Sequence, residues 1–172
     1  MNRAAFDALY REHYHRVRSY CRRMLGTPQD AEDAAQEVFM RAYRAFGRYR
    51  SRDPFGPWVG AIATNYCIDV LRSRGRFNEV FDTRDAEEPE DPADNGAATL
   101  ISDYESRAIT RAVEALPDRY RLPIVLAYYA DASYEEIADT LGITANHVGV
   151  LLSRGKEQLR RHLSELHEES RS

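Results

Sequence analysis

Five residues between positions 58 and 76, Trp58, Asn65, Asp69, Arg72 and Arg76, follow one another at intervals of seven, four, three and four. On a helix those intervals return to one face, so an indole, a carboxamide, a carboxylate and two guanidiniums would share a stripe. Their chemistry is that of nucleic-acid recognition. Asparagine and arginine hydrogen-bond base edges and phosphates, the indole stacks on an unpaired base, and Asp69 can hold Arg72 in place. The preceding "RYRSRDPF" adds Arg48, Arg50 and Arg52, interleaved with Tyr49 and Phe55. Residues 41–78 carry eight arginines against only Asp53 and Asp69. Guanidiniums that follow a backbone beside aromatic shelves suit single-stranded DNA. The competing reading puts Trp58 in a core and the arginines on a solvated face, and this stretch alone leaves both open.

A second constellation is acidic. Asp30, Asp33 and Glu37 fall near one helix face in "DAEDAAQEVFMRAYRAF", and "EEIAD" supplies Glu136 and Asp139. A metal-dependent hydrolase would need two such helices facing each other. Acids in a first turn answer the helix dipole, and Glu37 can pair with Arg41 four residues on, so the reading is non-enzymatic. His13, His15, His147, His162 and His167 form no ligand set, and no glycine-rich phosphate loop or nucleophile elbow is present. Cys21 and Cys67 lie far apart in helical patterns without a Cys-x-x-Cys, which predicts buried thiols rather than a zinc site or a disulfide. No metal and no cofactor is expected.

The elements that must position these groups are all helical. In the first lobe, periodicity predicts helices over about 4–25, 28–46 and 53–74, with breaks at Gly26 and Gly47. Thr27, Pro28 and Asp30 are the start signals of the second helix, while Phe55, Val59, Ile62, Ala63, Tyr66 and Val70 are the expected inward face of the third. In the second lobe, helices are expected from about Asp103 to Ala115, from Pro117 to Ala130 with Pro123 inside, and then as a close pair. Ser133 and Glu136 start the first of that pair, Gly142 permits a tight turn, and Thr144 caps a final helix reaching about Leu163. Between the lobes, "DTRDAEEPEDPADNGAATL" lacks the apolar side chains that would repay ordering, and reads as a linker. The expected organisation is all-α, with small helical domains at 1–78 and 106–172 joined by an acidic segment at 79–105.

Charge separates along the same boundaries. The chain of 172 residues carries a net charge of −4, yet residues 79–105 alone sum to −9 and the remainder to +5. Two basic lobes with an acidic strap fit a nucleic-acid partner, and 23 of the 24 basic residues are arginine, the better fork for phosphates and base edges. No segment is apolar enough to span a bilayer, and the opening "MNRAAFDALYREHYHRVRSY" has charges where a signal peptide needs an apolar run, so a cytoplasmic protein without membrane insertion is expected.

The final helix pair fits a helix-turn-helix. Ile137, small Ala138, Gly142, Ile143, Val148 and Leu151 occupy positions where two short helices crossing a tight turn must pack. With Val148, Leu151, Leu152 and Leu159 inward, the opposite face would present Asn146, Gly149, Val150, Ser153 and Arg154 to a major groove, with Arg160 and Arg161 reaching phosphates. A plain helical hairpin with a solvated basic end is the alternative, and the agreement of cap, turn and packing residues favours DNA binding.

These motifs, in this order, resemble the extracytoplasmic-function sigma factors of bacterial RNA polymerase. "DAEDAAQEVFMRAYRAF" is similar to their polymerase-binding helix, and "FGPWVGAIATNYCIDVLRSRGR" to their F-x-x-W-(L/V)-x-x-I-A-x-N-x-x-x-D-x-x-R promoter-melting helix. "LPDRYRLPIVLAYYADASYEEIADTLGI" is similar to the entry into their C-terminal helix-turn-helix. The resemblance implies a σ2 and a σ4 domain, no cofactor, and partners in core RNA polymerase (the β′ clamp helices for σ2, the β flap for σ4), promoter DNA and an anti-sigma factor. It implies that Asp30, Asp33, Gln36, Glu37 and Arg41 dock on the polymerase. Arg48, Arg50, Arg52, Phe55, Trp58, Asn65, Asp69, Arg72 and Arg76 would open the −10 element. Thr144, Asn146, His147, Val150, Ser153, Arg154 and Lys156 would contact the −35 element. One departure stands out: where relatives often read G-x-S-x-x-T-V-K-S-R, Gly149, Val150 and Leu151 replace the Lys-Ser-Arg. The rival function is a stand-alone helix-turn-helix regulator binding duplex operators.

Overall fold

The computed structural model describes residues 3–75, 77–81 and 103–171, and among them every regular element is a helix. Arg76 and most of the expected linker lie outside the described residues. The chain divides into two compact units, Met1–Phe77 and Asn78–Ser172.

The first unit packs three long helices against one another: α1 (Arg3–Leu25), α2 (Pro28–Ala45) and α3 (Phe55–Ser73). Gly26, at φ +95°, ends α1 in a conformation that a side chain would oppose. The Thr27 hydroxyl accepts from the Asp30 amide at 3.1 Å and Pro28 takes the first position of α2, as its start signals predict. Ala31, Ala34, Ala35 and Ala42 line the buried face of α2, and their size lets the neighbouring helices approach closely. Two details differ from expectation. α2 stops at Ala45, ahead of Gly47, and tightens into a 3₁₀ turn over Phe46–Arg48, closed by the Tyr49 amide on the Phe46 carbonyl at 3.1 Å. The inward face of α3 is rotated: Phe55, Val59, Ala63, Cys67, Ile68 and Leu71 are buried, whereas Ile62, Tyr66 and Val70 are half-buried at its edge.

Polar ties pin this bundle. The Tyr20 hydroxyl on α1 meets the Thr64 hydroxyl on α3 at 2.7 Å. Arg74, at the end of α3, reaches the Asp30 carboxylate at 2.8 Å and the Leu25 carbonyl at 3.4 Å, joining all three helices. Cys21 and Cys67, far apart in sequence, are both fully buried as free thiols. A hydrogen bond joins them, and with burial it pushes the Cys67 thiol up. A four-residue helix, α4 (Phe77–Val80), follows α3.

In the second unit, α8 (Ala145–Arg171) packs on α5 (Asp103–Glu114), α6 (Asp118–Tyr129) and α7 (Tyr134–Leu141). Val113, Leu116, Leu122, Ile124, Val125, Leu126, Ile137, Leu141, Val148, Leu151 and Leu152 make the core. The Arg121 guanidinium is buried with them, satisfied by the Leu116 carbonyl at 3.1 Å and the Asp118 carboxylate at 2.6 Å. α8 runs to Arg171 instead of stopping near Leu163, because no glycine or proline interrupts residues 156–171 and Glu157 pairs with Arg161 at 2.9 Å along its surface.

Candidate nucleic-acid interface

The first unit carries an aromatic ledge. Trp58, in the first turn of α3, is half-buried, its ring 5.1 Å from Tyr49 and 5.5 Å from Phe55. Tyr49 stacks in turn on Phe46 at 5.5 Å, and its hydroxyl donates to the Asp53 carbonyl at 2.5 Å, which braces the loop before α3. Arg48, Arg50 and Arg52 project from that loop, all exposed. Farther along α3, Asn65, Asp69 and Arg72 are exposed on the same stripe, with the Arg72 guanidinium 5.1 Å over the Phe77 ring. Arg76 lies outside the described residues. Phe55 lies on the inward face of α3, as its periodicity predicts, and not in the exposed position that the resemblance to the −10-binding residues implies. At 4% exposure its ring is part of the core, packed at 5.0 Å on His13, so it supports the ledge from beneath instead of meeting a ligand.

On α2 a polar edge is exposed beside this region. Asp33 accepts from Gln29 at 3.1 Å, Glu37 pairs with Arg41 at 3.1 Å, and the Arg41 guanidinium sits 4.8 Å over Tyr66 of α3. Gln36 is exposed on the next strip of the helix. There it lines a groove of about 430 Å³ between α1 and α2 with Phe6, Tyr10, Phe39, Met40 and Tyr43, and Met40 is 51% exposed. Asp30 is only partly available. The hydrogen bond to Thr27 and the ion pair with Arg74 hold its carboxyl below the usual carboxylate range.

In the second unit α7 and α8 form the expected helix-turn-helix. The Ser133 hydroxyl caps α7 by accepting from the Glu136 amide at 3.1 Å. Gly142 turns the chain at φ +72°, with its amide and that of Ile143 both on the Ala138 carbonyl. Thr144 is exposed and spends its hydroxyl on the His147 amide at 3.1 Å, as the cap of α8. Asn146 and Ser153 are exposed, and Val150, Arg154 and Lys156 are half-buried on the outer side. Lys156 lies 5.4 Å over the Tyr128 ring. Gly149, expected on that outer face, is buried, and so is His147, for which the resemblance implies a −35 contact, because α8 turns this side toward its packing partners. Burial foremost, and then Arg119 and Arg154, push the His147 ring below its ordinary value. Sequence periodicity also missed Arg74, Tyr20 with Thr64, and the thiol pair, since ties between residues over forty positions apart leave no local pattern.

Residues 9–77 match the model of Sigma-70 region 2, and residues 106–159 that of Sigma-70 region 4. The chain is 34% identical over 165 residues to the extracytoplasmic-function (ECF) RNA polymerase sigma factor SigW of Bacillus subtilis, covering 88% of this chain and 84% of that one. The chain belongs to the ECF sigma factors of the sigma-70 family. It is also 34% identical over 165 residues to the ECF sigma factor SigE of Mycolicibacterium smegmatis, where 93% of this chain spans 62% of the relative's length. The fold agrees with the sigma factor RpoE solved in complex with the anti-sigma factor NepR from Bartonella quintana, at a TM-score of 0.57 and 22% identity over 93% of this chain and 97% of that one. In sigma-factor terms the aromatic ledge lies in region 2 and the helix-turn-helix in region 4. Among the described residues no helix is long and apolar enough to cross a membrane.

Proposed function

We propose that this sigma factor joins core RNA polymerase in the cytoplasm and directs it to promoters, making and breaking no covalent bond itself. The polar edge of α2, with Asp33, Gln36, Glu37 and Arg41 at its centre and Asp30 at its start, docks on the β′ clamp helices, and the neighbouring apolar groove extends that surface. The loop over residues 48–54 and Trp58, with Asn65, Asp69 and Arg72 behind it, hold the opened −10 element. The indole stacks on a base that has left the duplex while guanidiniums follow the phosphates. The region 4 unit engages the β flap and meets the −35 element through Asn146, Val150, Ser153, Arg154 and Lys156, and an anti-sigma factor covers the docking surface when the factor is idle. The division into domains at 1–78 and 106–172 with an acidic connection belongs to this reading. The observation that carries it is the half-buried Trp58 held by Tyr49 and Phe55 amid three exposed arginines.

Run-off transcription with purified core polymerase is the test. Promoter-dependent transcripts that require the chain support initiation. Duplex binding without polymerase-dependent transcripts would make it a stand-alone regulator, and metal-dependent nucleotide turnover an enzyme.

A further inference from the structure

The outward stripe of α8 consists of Asn146, Val150, Ser153 and Glu157, at intervals of four, three and four that a helix returns to one face. The opposite side faces the core, where Val148, Leu151, Leu152 and Gly155 are buried. Asn146, Ser153 and Glu157 are exposed, and Glu157 is paired with Arg161 at 2.9 Å. Val150 is the odd member of the stripe. It is only half-buried, an aliphatic side chain among polar ones, and Gly149 beside it has no side chain to cover it. None of the four is basic, so the O6 and N7 acceptors of guanine, which arginine and lysine grip, find no partner along this stripe. Asparagine suits adenine, and what a valine can offer a major groove is apolar contact with the C5-methyl of thymine.

We infer that Val150 is a specificity-determining residue, its γ-methyls packing on the C5-methyl of one thymine in the −35 element, so that this factor selects an A·T pair at that step. The inference rests on the reading that α8 meets the −35 element, and adds to it which base is chosen and through which atom. Val150 is one of the three positions at which the Lys-Ser-Arg of relatives is replaced, so the preference belongs to this chain and not to the family at large. A cytosine at the same place presents a bare C5 edge and an amino group that Val150 leaves without an acceptor, which separates the two pyrimidines.

In the experiment, holoenzyme assembled from core polymerase and the full-length chain selects duplexes from a pool with a randomised −35 segment. The selected sequence is then remade with deoxyuracil in place of one thymine at a time. Deoxyuracil pairs as thymine does and lacks only the methyl, so the protein itself is unaltered. At one position the swap is expected to weaken binding about fourfold, the effect of burying one methyl-sized group, and Val150→Ser to bind the thymine and deoxyuracil duplexes alike. Val150→Thr, which keeps one γ-methyl, is expected to retain part of the difference, and at the same position 5-methylcytosine is expected to bind better than cytosine. The inference is overturned if every thymine tolerates deoxyuracil, or if Val150→Ser keeps the native difference. Absence of promoter-dependent run-off transcripts would remove the initiation reading instead, and the same scan on duplexes selected by the free chain would still read the methyl.

Discussion

Trp58 shows how a single side chain serves packing and recognition together. Its ring is anchored by Tyr49 and Phe55 yet stays half-exposed among arginines, so truncating it removes a stacking surface while the core beneath, closed by Phe55, stays in place. Trp58→Ala is therefore expected to cut run-off transcription by about 5- to 150-fold, since stacking on one base contributes ~1–3 kcal/mol, and Arg72→Ala to cut it as well, both leaving polymerase binding intact in a pull-down. Asp33→Arg is expected to abolish that binding; equal loss in all three would mean general misfolding. Asp30 is a poorer probe of docking because Arg74 already holds it. Arg74→Ala breaks a half-exposed pair, so thermal melting is expected to show a loss of only about 0.5–1 kcal/mol. The Trp58 stripe was legible because a helix repeats its faces. The tie from Arg74 to Leu25 and Asp30 was not, because it depends on how three helices meet.

Helix starts were written locally, and so were the ends at Gly26 and Gly142; two other ends were not. Thr27, Ser133 and Thr144 each accept the amide that their spacing assigns them, because a cap needs only its own first turn. The 3₁₀ turn at Phe46–Arg48 and the extension of α8 to Arg171 escaped the pattern, as did the rotation of α3 that left Tyr66 at the edge. Gly149 was misplaced for a related reason: a wheel gives the angle of a residue, whereas burial depends on which neighbour the helix meets. Two glycines test packing at this scale. A Cβ on Gly155 would lie 2.5 Å from Ile124 Cδ1 and 3.3 Å from Tyr120 Cβ, whereas one on Gly60 meets nothing within 4 Å. Gly155→Ala is expected to lower stability by about 1–3 kcal/mol, and Gly60→Ala to raise it by about 0.5–1 kcal/mol, both read by denaturant melts. His147 gives region 4 a pH dependence of its own. Its ring is held below the ordinary 6.5 in the fold, so the unfolded chain binds the extra proton. Its contribution is complete above that value and is lost as pH falls below it through the lower value of the folded state. Melting midpoints are expected to drop between pH 7 and pH 5 more steeply in the native chain than in His147→Gln.

Over the whole molecule, charge is divided between an acidic segment and a basic remainder. The acids concentrated in residues 79–105 oppose the basic character of the rest of the chain, so the free factor is expected to bind duplex weakly until polymerase provides opened strands. Replacing the acids of residues 79–94 by their amides is expected to strengthen duplex binding by the free chain roughly tenfold at low ionic strength, an effect that vanishes near 1 M salt, where screening reaches ~3 Å. The two-lobe organisation was readable because charge and apolar content change together near residue 80. Both cysteines of the chain lie in the region 2 unit, sealed side by side under α1 and α3, and the region 4 unit contains none. An alkylating reagent therefore finds sulfur only when that bundle comes open. The rate of labelling is a clock for the opening of one lobe, wound without any engineered probe and blind to whatever the other lobe does.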